Sequence, residues 1–277
     1  MQDILDWISK TGIDRILWAT DLDLTVLDAA ADPSKVTAPQ EVECACREID
    51  RLTKGRFFII TGRELEYVDK VFPNEAFKVS AEYHNMVRLD ASGIRDLSPR
   101  PQWGLIDPAM DKIVAANAGM VVRKKPFMRS VHYTHAPGLK DFNVKAKVQG
   151  QFQRLLNKLE KQTGQKVEIK DGGSVFDIGP AGADKGVAFR DILKHVERRQ
   201  AGPFSLIYFG DSPGDIPAAQ FAKSKGGVFV AVGNDPRVTA LADFTLADPA
   251  SCRALLIKAG GVTPGRFPRP VITPGSP

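Results

Sequence analysis

Short apolar runs recur along this chain with segments of helical period between them, and that alternation restricts its fold more than any other feature. The runs fall at residues 15–20, 56–60, 205–209 and 228–232. Strands so uniformly apolar are buried on both faces, as in a parallel sheet covered by helices on either side. Amphipathic patterns span 38–53, 64–71, 185–198 and 215–223, so the two ends of the chain read as one α/β unit on a parallel sheet. Sheets of this kind bind ligands beyond the carboxyl ends of their strands.

Between those ends the order of elements changes. Helical patterns at 108–118 and 144–163, with strand-like stretches at 128–133 and near Val167 and Val175, describe a smaller α+β domain inserted into the first. Its expected span is 104–176, leaving 1–103 and 177–262 as a discontinuous core. Residues 263–277, rich in proline and glycine, are expected to be disordered. A chain of 277 residues, 43% apolar and 26% charged, has the length and composition for such a globular arrangement.

Several function classes drop out. The opening Met1-Gln2-Asp3-Ile4-Leu5-Asp6 carries acids where a signal peptide carries bases, and no apolar run approaches membrane-spanning length. The expectation is a cytoplasmic protein with no membrane partner. Cys44, Cys46 and Cys252 cannot all pair, and the first two face different directions of one predicted helix, which argues against a disulfide or zinc role. A net charge of +5 is spread among interleaved acids and bases, which fits an anionic small molecule and not nucleic acid. Nothing in the pattern specifies an oligomeric state.

Chemistry-bearing residues collect where the apolar runs end. The run at 15–20 leads into Asp21-Leu22-Asp23-Leu24-Thr25. Of two carboxylates so spaced, one can attack phosphorus while the other protonates the leaving oxygen, with a divalent cation offsetting their repulsion. A solvated acidic turn has the same composition. The second run ends in Thr61-Gly62-Arg63, where a hydroxyl and backbone N–H groups can grip a phosphate oxygen, although Thr61 taken alone reads better as a helix N-cap. Lys185 opens the predicted helix at 185–198 and can neutralise a phosphoryl group, or simply lie in solvent. The third run ends in Gly210-Asp211-Ser212-Pro213-Gly214-Asp215. Asp211 suits Mg²⁺ as an oxygen ligand, and Asp215 can bind the ion or orient a ligand or Lys185, yet acids around glycines also make an ordinary turn.

Taken together, Asp21-x-Asp23-x-Thr25, Thr61, Lys185 and Gly210-Asp211-x-x-x-Asp215 resemble, in order, the four motifs of the haloacid dehalogenase superfamily. The resemblance implies a Rossmannoid parallel core with an inserted α+β cap of type IIB that closes over the site and reads the leaving group. It implies Asp21 as nucleophile, Asp23 as general acid and then base, and Thr61, Gly62 and Lys185 as phosphate-binding residues. Mg²⁺ would be held by Asp21, the Asp23 carbonyl and Asp211, with Asp215 in support. Leu24 stands where the superfamily usually has glycine.

Three further stretches resemble trehalose-6-phosphate phosphatases: Ala81-Glu82-Tyr83-His84-Asn85, the segment from Lys125 to Tyr133, and Val175-Phe176-Asp177-Ile178-Gly179-Pro180. Lys125 matches a family lysine that binds sugar hydroxyls, and Arg63 is expected to face substrate. Arg123, Thr134, Gly179, Ser212 and Ile216 depart from that family's pattern. Lost polar partners redirect specificity, so trehalose 6-phosphate stands beside two alternatives. One is a different sugar phosphate or a phosphoglycosyl acid; the other is a catalytically silent sugar-phosphate sensor. His132-Tyr133 and His84 are expected to pack as readily as to touch a ligand.

Overall fold

A computed structural model describes residues 1–30, 35–74, 76–172 and 174–263. The expected disordered tail, from residue 264 onward, lies outside them. In chain order the elements begin with α1 (Gln2–Thr11), β1 (Ile16–Thr20), α2 (Gln40–Leu52), β2 (Phe57–Ile60), α3 (Leu65–Val71), β3 (Val79–Ala81) and β4 (Met86–Arg88). Next come β5 (Arg95–Asp96), α4 (Asp107–Ala115), β6 (Val121–Lys124), β7 (Arg129–His132), α5 (Phe142–Thr163), β8 (Val167–Asp171) and β9 (Val175–Pro180). The chain finishes with α6 (Lys185–Glu197), β10 (Ser205–Gly210), α7 (Ile216–Ser224), β11 (Val228–Val232), α8 (Pro236–Thr239), β12 (Phe244–Leu246) and α9 (Pro249–Ala259). No helix among the described residues is long and apolar enough to cross a membrane.

Two compact units emerge, one of Met1–Ile94 with the chain from Lys185, the other Arg95–Asp184. Within the first, the sheet runs β12-β11-β10-β1-β2-β3-β4 and is parallel except for the β3–β4 pair. β1 and β2 are buried along their whole length. Alternate residues serve opposite faces: Leu17 and Ala19 join Phe58, Ile60, Tyr208 and the α6 residues Phe189 and Ile192 in one cluster, while Trp18 stacks on Phe209 with ring centroids 5.1 Å apart. Truncating Phe189 to alanine would cost this cluster about 3–5 kcal/mol. Register decides where the chemistry lies. Thr20 pairs with Phe209 on one side and Ile59 on the other, so β1, β2 and β10 end level.

The second unit holds a four-stranded antiparallel sheet, β6-β7-β9-β8. Asp141 caps α5 by accepting from Asn143 N and Val144 N, and Gly164 ends the helix in a left-handed conformation. Phe152, Leu156 and Leu159, at helical spacing, pack with Met110, Val131, Phe176 and Ile178. The unit begins earlier and ends later in the chain than the pattern suggested, at 95 and 184 in place of 104 and 176. A cut at 176 would divide β9, which pairs with both β7 and β8.

Candidate active site

β1 delivers Asp21 to the carboxyl edge of the sheet, and its N–H extends the ladder to Phe209 O at 2.9 Å. The chain then reverses tightly: Val26 N and Leu27 N both donate to Leu22 O at 2.9 Å, and Leu24 N donates to Leu27 O at 2.8 Å. Leu24 takes a φ of 58°. The loop therefore keeps a left-handed position that glycine occupies more easily, with an L-residue in its place at a cost of about 1–2 kcal/mol. The reversal also turns Thr25 inward, where its hydroxyl donates to Asp211 Oδ1 at 3.0 Å.

At the centre lies Lys185, the first residue of α6. Its Nζ is 2.7 Å from Asp21 Oδ2 and 2.7 Å from Asp215 Oδ1, with all three side chains buried. Burial works against the ammonium, but Asp21 and Asp215 outweigh it and hold Lys185 above its ordinary range. The acids still outnumber this cation. Burial, opposed by Lys185 but reinforced by Asp215 and Asp211, pushes the Asp21 carboxyl well up, and burial with the Asp215 charge pushes Asp211 up to about 6.

Asp215 has its acceptors occupied. Oδ1 receives Lys185 Nζ and, at 2.6 Å, the hydroxyl of Tyr208, while Oδ2 receives Asp211 N at 3.2 Å, Ser212 N at 3.0 Å and Ser212 Oγ at 2.9 Å. Of the roles open to it from the sequence, these contacts match orienting Lys185, and they hold the Asp211 loop as well. Tyr208 was missed from the sequence. Its only signal there is a polar-tipped aromatic inside an apolar strand, whose buried hydroxyl needs a partner.

Thr61 is buried at the end of β2, and its Oγ1 accepts from Arg63 N at 3.1 Å. It does not cap α3, whose N-cap position is Glu64; the hydroxyl closes a local turn instead. Arg63 Nε and a terminal guanidinium nitrogen both reach Asp23, at 2.8 Å each. The Arg63 guanidinium also lies over the Tyr67 ring, 4.6 Å from its centroid. Arg63, expected at the substrate, is thus engaged as a bidentate partner of Asp23.

Lys125 and the other specificity candidates lie in the second unit. Lys125 is buried in the β6–β7 turn, where its N–H donates to Met128 O at 2.9 Å and its carbonyl accepts from Arg129 at 2.5 Å. Tyr133 packs on Phe176 with centroids 4.6 Å apart and donates to Asp171, a core role. His84, in the first unit, is likewise engaged, by Ser80 and Asp191.

Oxygen atoms from Asp21, Asp211 and Asp215 lie within 4.8 Å of one another. This is a hard-donor set able to coordinate a divalent cation. The excess of carboxylates over ammonium here is an electrostatic reason for such a set to take a cation.

Comparison with known proteins bears on the fold that carries this site. A family profile for haloacid dehalogenase-like hydrolases matches residues 138–252. The C-terminal domain of Candida albicans trehalose-6-phosphate phosphatase superposes with a TM-score of 0.73 at 18% identity, covering 95% of this chain and 97% of that one. The C-terminal domain of the Candida albicans trehalose synthase regulatory protein superposes with a TM-score of 0.64 at 15% identity, covering 94% and 97%. The chain has the phosphatase fold of the haloacid dehalogenase superfamily, a Rossmannoid α/β core with an inserted cap. More particularly, its sequence is similar to that of a trehalose-phosphate phosphatase relative. It is 25% identical over 234 residues, 82% of each chain, to a Sinorhizobium fredii protein named probable trehalose-phosphate phosphatase.

Proposed function

We propose that the protein is a Mg²⁺-dependent phosphatase of sugar phosphates, with trehalose 6-phosphate as the leading substrate. The observation that carries this proposal is the sharing of buried Lys185 by Asp21 and Asp215, at the edge of the sheet where Asp211 also lies. In the proposed cycle an Asp21 oxygen attacks phosphorus, an aspartyl-phosphate forms, and the ester P–O bond breaks as Asp23 protonates the departing oxygen. Asp23, now a carboxylate, takes a proton from water. The water oxygen attacks phosphorus, the bond to Asp21 breaks, and phosphate leaves. Lys185, the Thr61 hydroxyl and the Gly62 N–H hold the phosphoryl oxygens, and Lys185 counters their charge. Asp21, Asp211 and the Asp23 carbonyl would hold Mg²⁺, which would neutralise charge around the transferring group. Asp23 must be protonated to act as the acid, so Arg63 must loosen its bidentate grip when substrate binds. It is then available to the substrate.

Homology to the Sinorhizobium protein over most of both chains supports trehalose 6-phosphate. A different sugar phosphate or phosphoglycosyl acid is favoured by the second unit's own packing. Where the trehalose-6-phosphate phosphatases carry Glu and Lys, this chain has Asp177, which accepts from Ser130 Oγ at 2.5 Å, and Gly179. Met128 fills the space a side chain at 179 would need. A silent sensor is the proposal from another class; the fold is shared with a regulatory protein, but Asp21, Asp23 and Lys185 are all present here. The deciding experiment is phosphate release with Mg²⁺ from a panel of sugar phosphates. Trehalose 6-phosphate is expected to be hydrolysed fastest. Preference for another ester would reassign the substrate, and binding without turnover would support the sensor.

A further inference from the structure

Glu82, Tyr83 and His84 have φ values of 47°, 56° and 79°. Three consecutive L-residues in the left-handed region is exceptional, since such residues normally enter it singly and at a steric cost. Strain of this kind persists only where the surroundings impose it, and it gathers at functional sites. The surroundings here do impose it. Glu82 N donates to Arg63 O at 3.0 Å and Tyr83 N to Thr61 O at 3.2 Å. His84 Nδ1 shares a hydrogen bond with Ser80 Oγ at 2.9 Å, and its Nε2 lies 3.2 Å from Asp191 Oδ2. Ser80 is wholly buried, so this Ser-His-Asp set is a brace and not a hydrolytic triad. Asp191 belongs to α6, the helix that begins with Lys185. The left-handed turn is therefore tied both to the Thr61-Gly62-Arg63 loop and to the helix that presents Lys185.

Tyr83 is what this arrangement positions. Its ring lies directly on Gly62: a Cβ there would come within 2.9 Å of the ring carbons and 3.1 Å of the hydroxyl. Only glycine at 62 admits the ring. The ring is half-buried, and its phenol lies within electrostatic reach of the Lys185 ammonium. Simple packing would account for a ring over a glycine. It does not account for a strained turn braced from two elements that sets a hydroxyl beside the Thr61-Gly62 backbone.

We infer that Tyr83 is a fourth phosphoryl-binding residue, its hydroxyl donating a hydrogen bond to an oxygen of the group held by Thr61, Gly62 and Lys185. This rests on the proposed phosphatase function and adds to its site. Tyr83→Phe keeps the ring on Gly62 and removes the hydroxyl alone, so the fold should be retained. Because a hydrogen bond to a charged acceptor is lost, kcat/KM should fall roughly 10- to 100-fold. The loss should be equal for a sugar phosphate and for p-nitrophenyl phosphate, and inhibition by orthovanadate should weaken in parallel. Activity within about 2-fold of wild type on both esters would overturn the inference. A loss confined to the sugar phosphate would also overturn it, by moving Tyr83 to the leaving group. Should the wild-type protein hydrolyse no ester, the phosphatase proposal fails separately. Titration of orthovanadate with Mg²⁺ then decides Tyr83: weaker binding by Tyr83→Phe upholds the inference, and equal binding refutes it.

Discussion

The two units use charge in opposite ways. In the first, Lys185, Asp21 and Asp215 are almost wholly withdrawn from water, and three carboxylates crowd the one ammonium. In the second, cations are matched by carboxylates, partly exposed at Lys145 and buried at Arg129. Lys145 meets Asp171 at 2.5 Å with a quarter of its side chain exposed, and Arg129 meets Asp107 at 2.8 Å beneath the Trp103 ring. The sheets differ in the same sense: β1 is buried throughout, whereas β6 is largely exposed. A fully buried parallel sheet can offer polar groups only at its strand ends, so reactive residues concentrate there. An antiparallel sheet with a solvated face spreads polar residues along its strands and leaves no single focus.

Breaking that comparison starts with the nucleophile. Asp21→Asn should lower phosphate release by about 10⁴-fold or more, with an unchanged or higher melting temperature, because it removes one of the crowded carboxylates. Retained turnover would end the Asp21 assignment. Chemical denaturation should next separate the units: Lys185→Met strands two buried carboxylates at a cost of about 3–5 kcal/mol, whereas Lys145→Met should cost about 1 kcal/mol or less. Equal losses would mean the two charge systems do not differ. Kinetics of Lys125→Ala sharpen the contrast, with an expected loss of roughly 10-fold or more on the preferred sugar phosphate against little change on an aryl phosphate. Equal losses on both would remove Lys125 from substrate recognition.

Acidity gives a smaller effect with a definite sign. Asp211 lies at about 6, above its ordinary value, so the metal-free fold favours its protonated form. That contribution to stability is present at low pH and is lost as pH rises through about 6. A divalent cation needs the carboxylate, so Mg²⁺ should raise the melting temperature markedly at pH 7.5 and little at pH 5. Equal shifts at both would argue against Asp211 as a ligand. The smallest change expected is from Leu24→Gly, where the strain at a φ of 58° is relieved and little packing is lost because Leu24 is exposed. After the unfolded-state entropy of glycine is counted, a gain of about 0.5 kcal/mol is expected, and a loss in thermal melts would show that Leu24 packs more than its exposure suggests.

By itself the sequence determined the layered plan and the roster of chemical groups. Uninterrupted apolar runs mark buried parallel strands whatever surrounds them, and the polar residues that end such runs can lie only at the carboxyl edge. The placement of Asp21, Thr61 and Asp211 at strand ends was legible for that reason, as was the inserted α+β segment, whose element order breaks the alternation. Tertiary structure alone decided the partnerships. That Lys185 bridges Asp21 and Asp215, that Arg63 clasps Asp23, that Thr61 closes a turn and caps nothing, and that Tyr83 rests on Gly62 all depend on register, side-chain direction and loop closure. These join residues far apart in the chain, or turn neighbours in directions that local pattern does not encode. The domain edges at 95 and 184 moved for a related reason: a strand belongs to the sheet that pairs with it, and pairing is not a property of the strand alone.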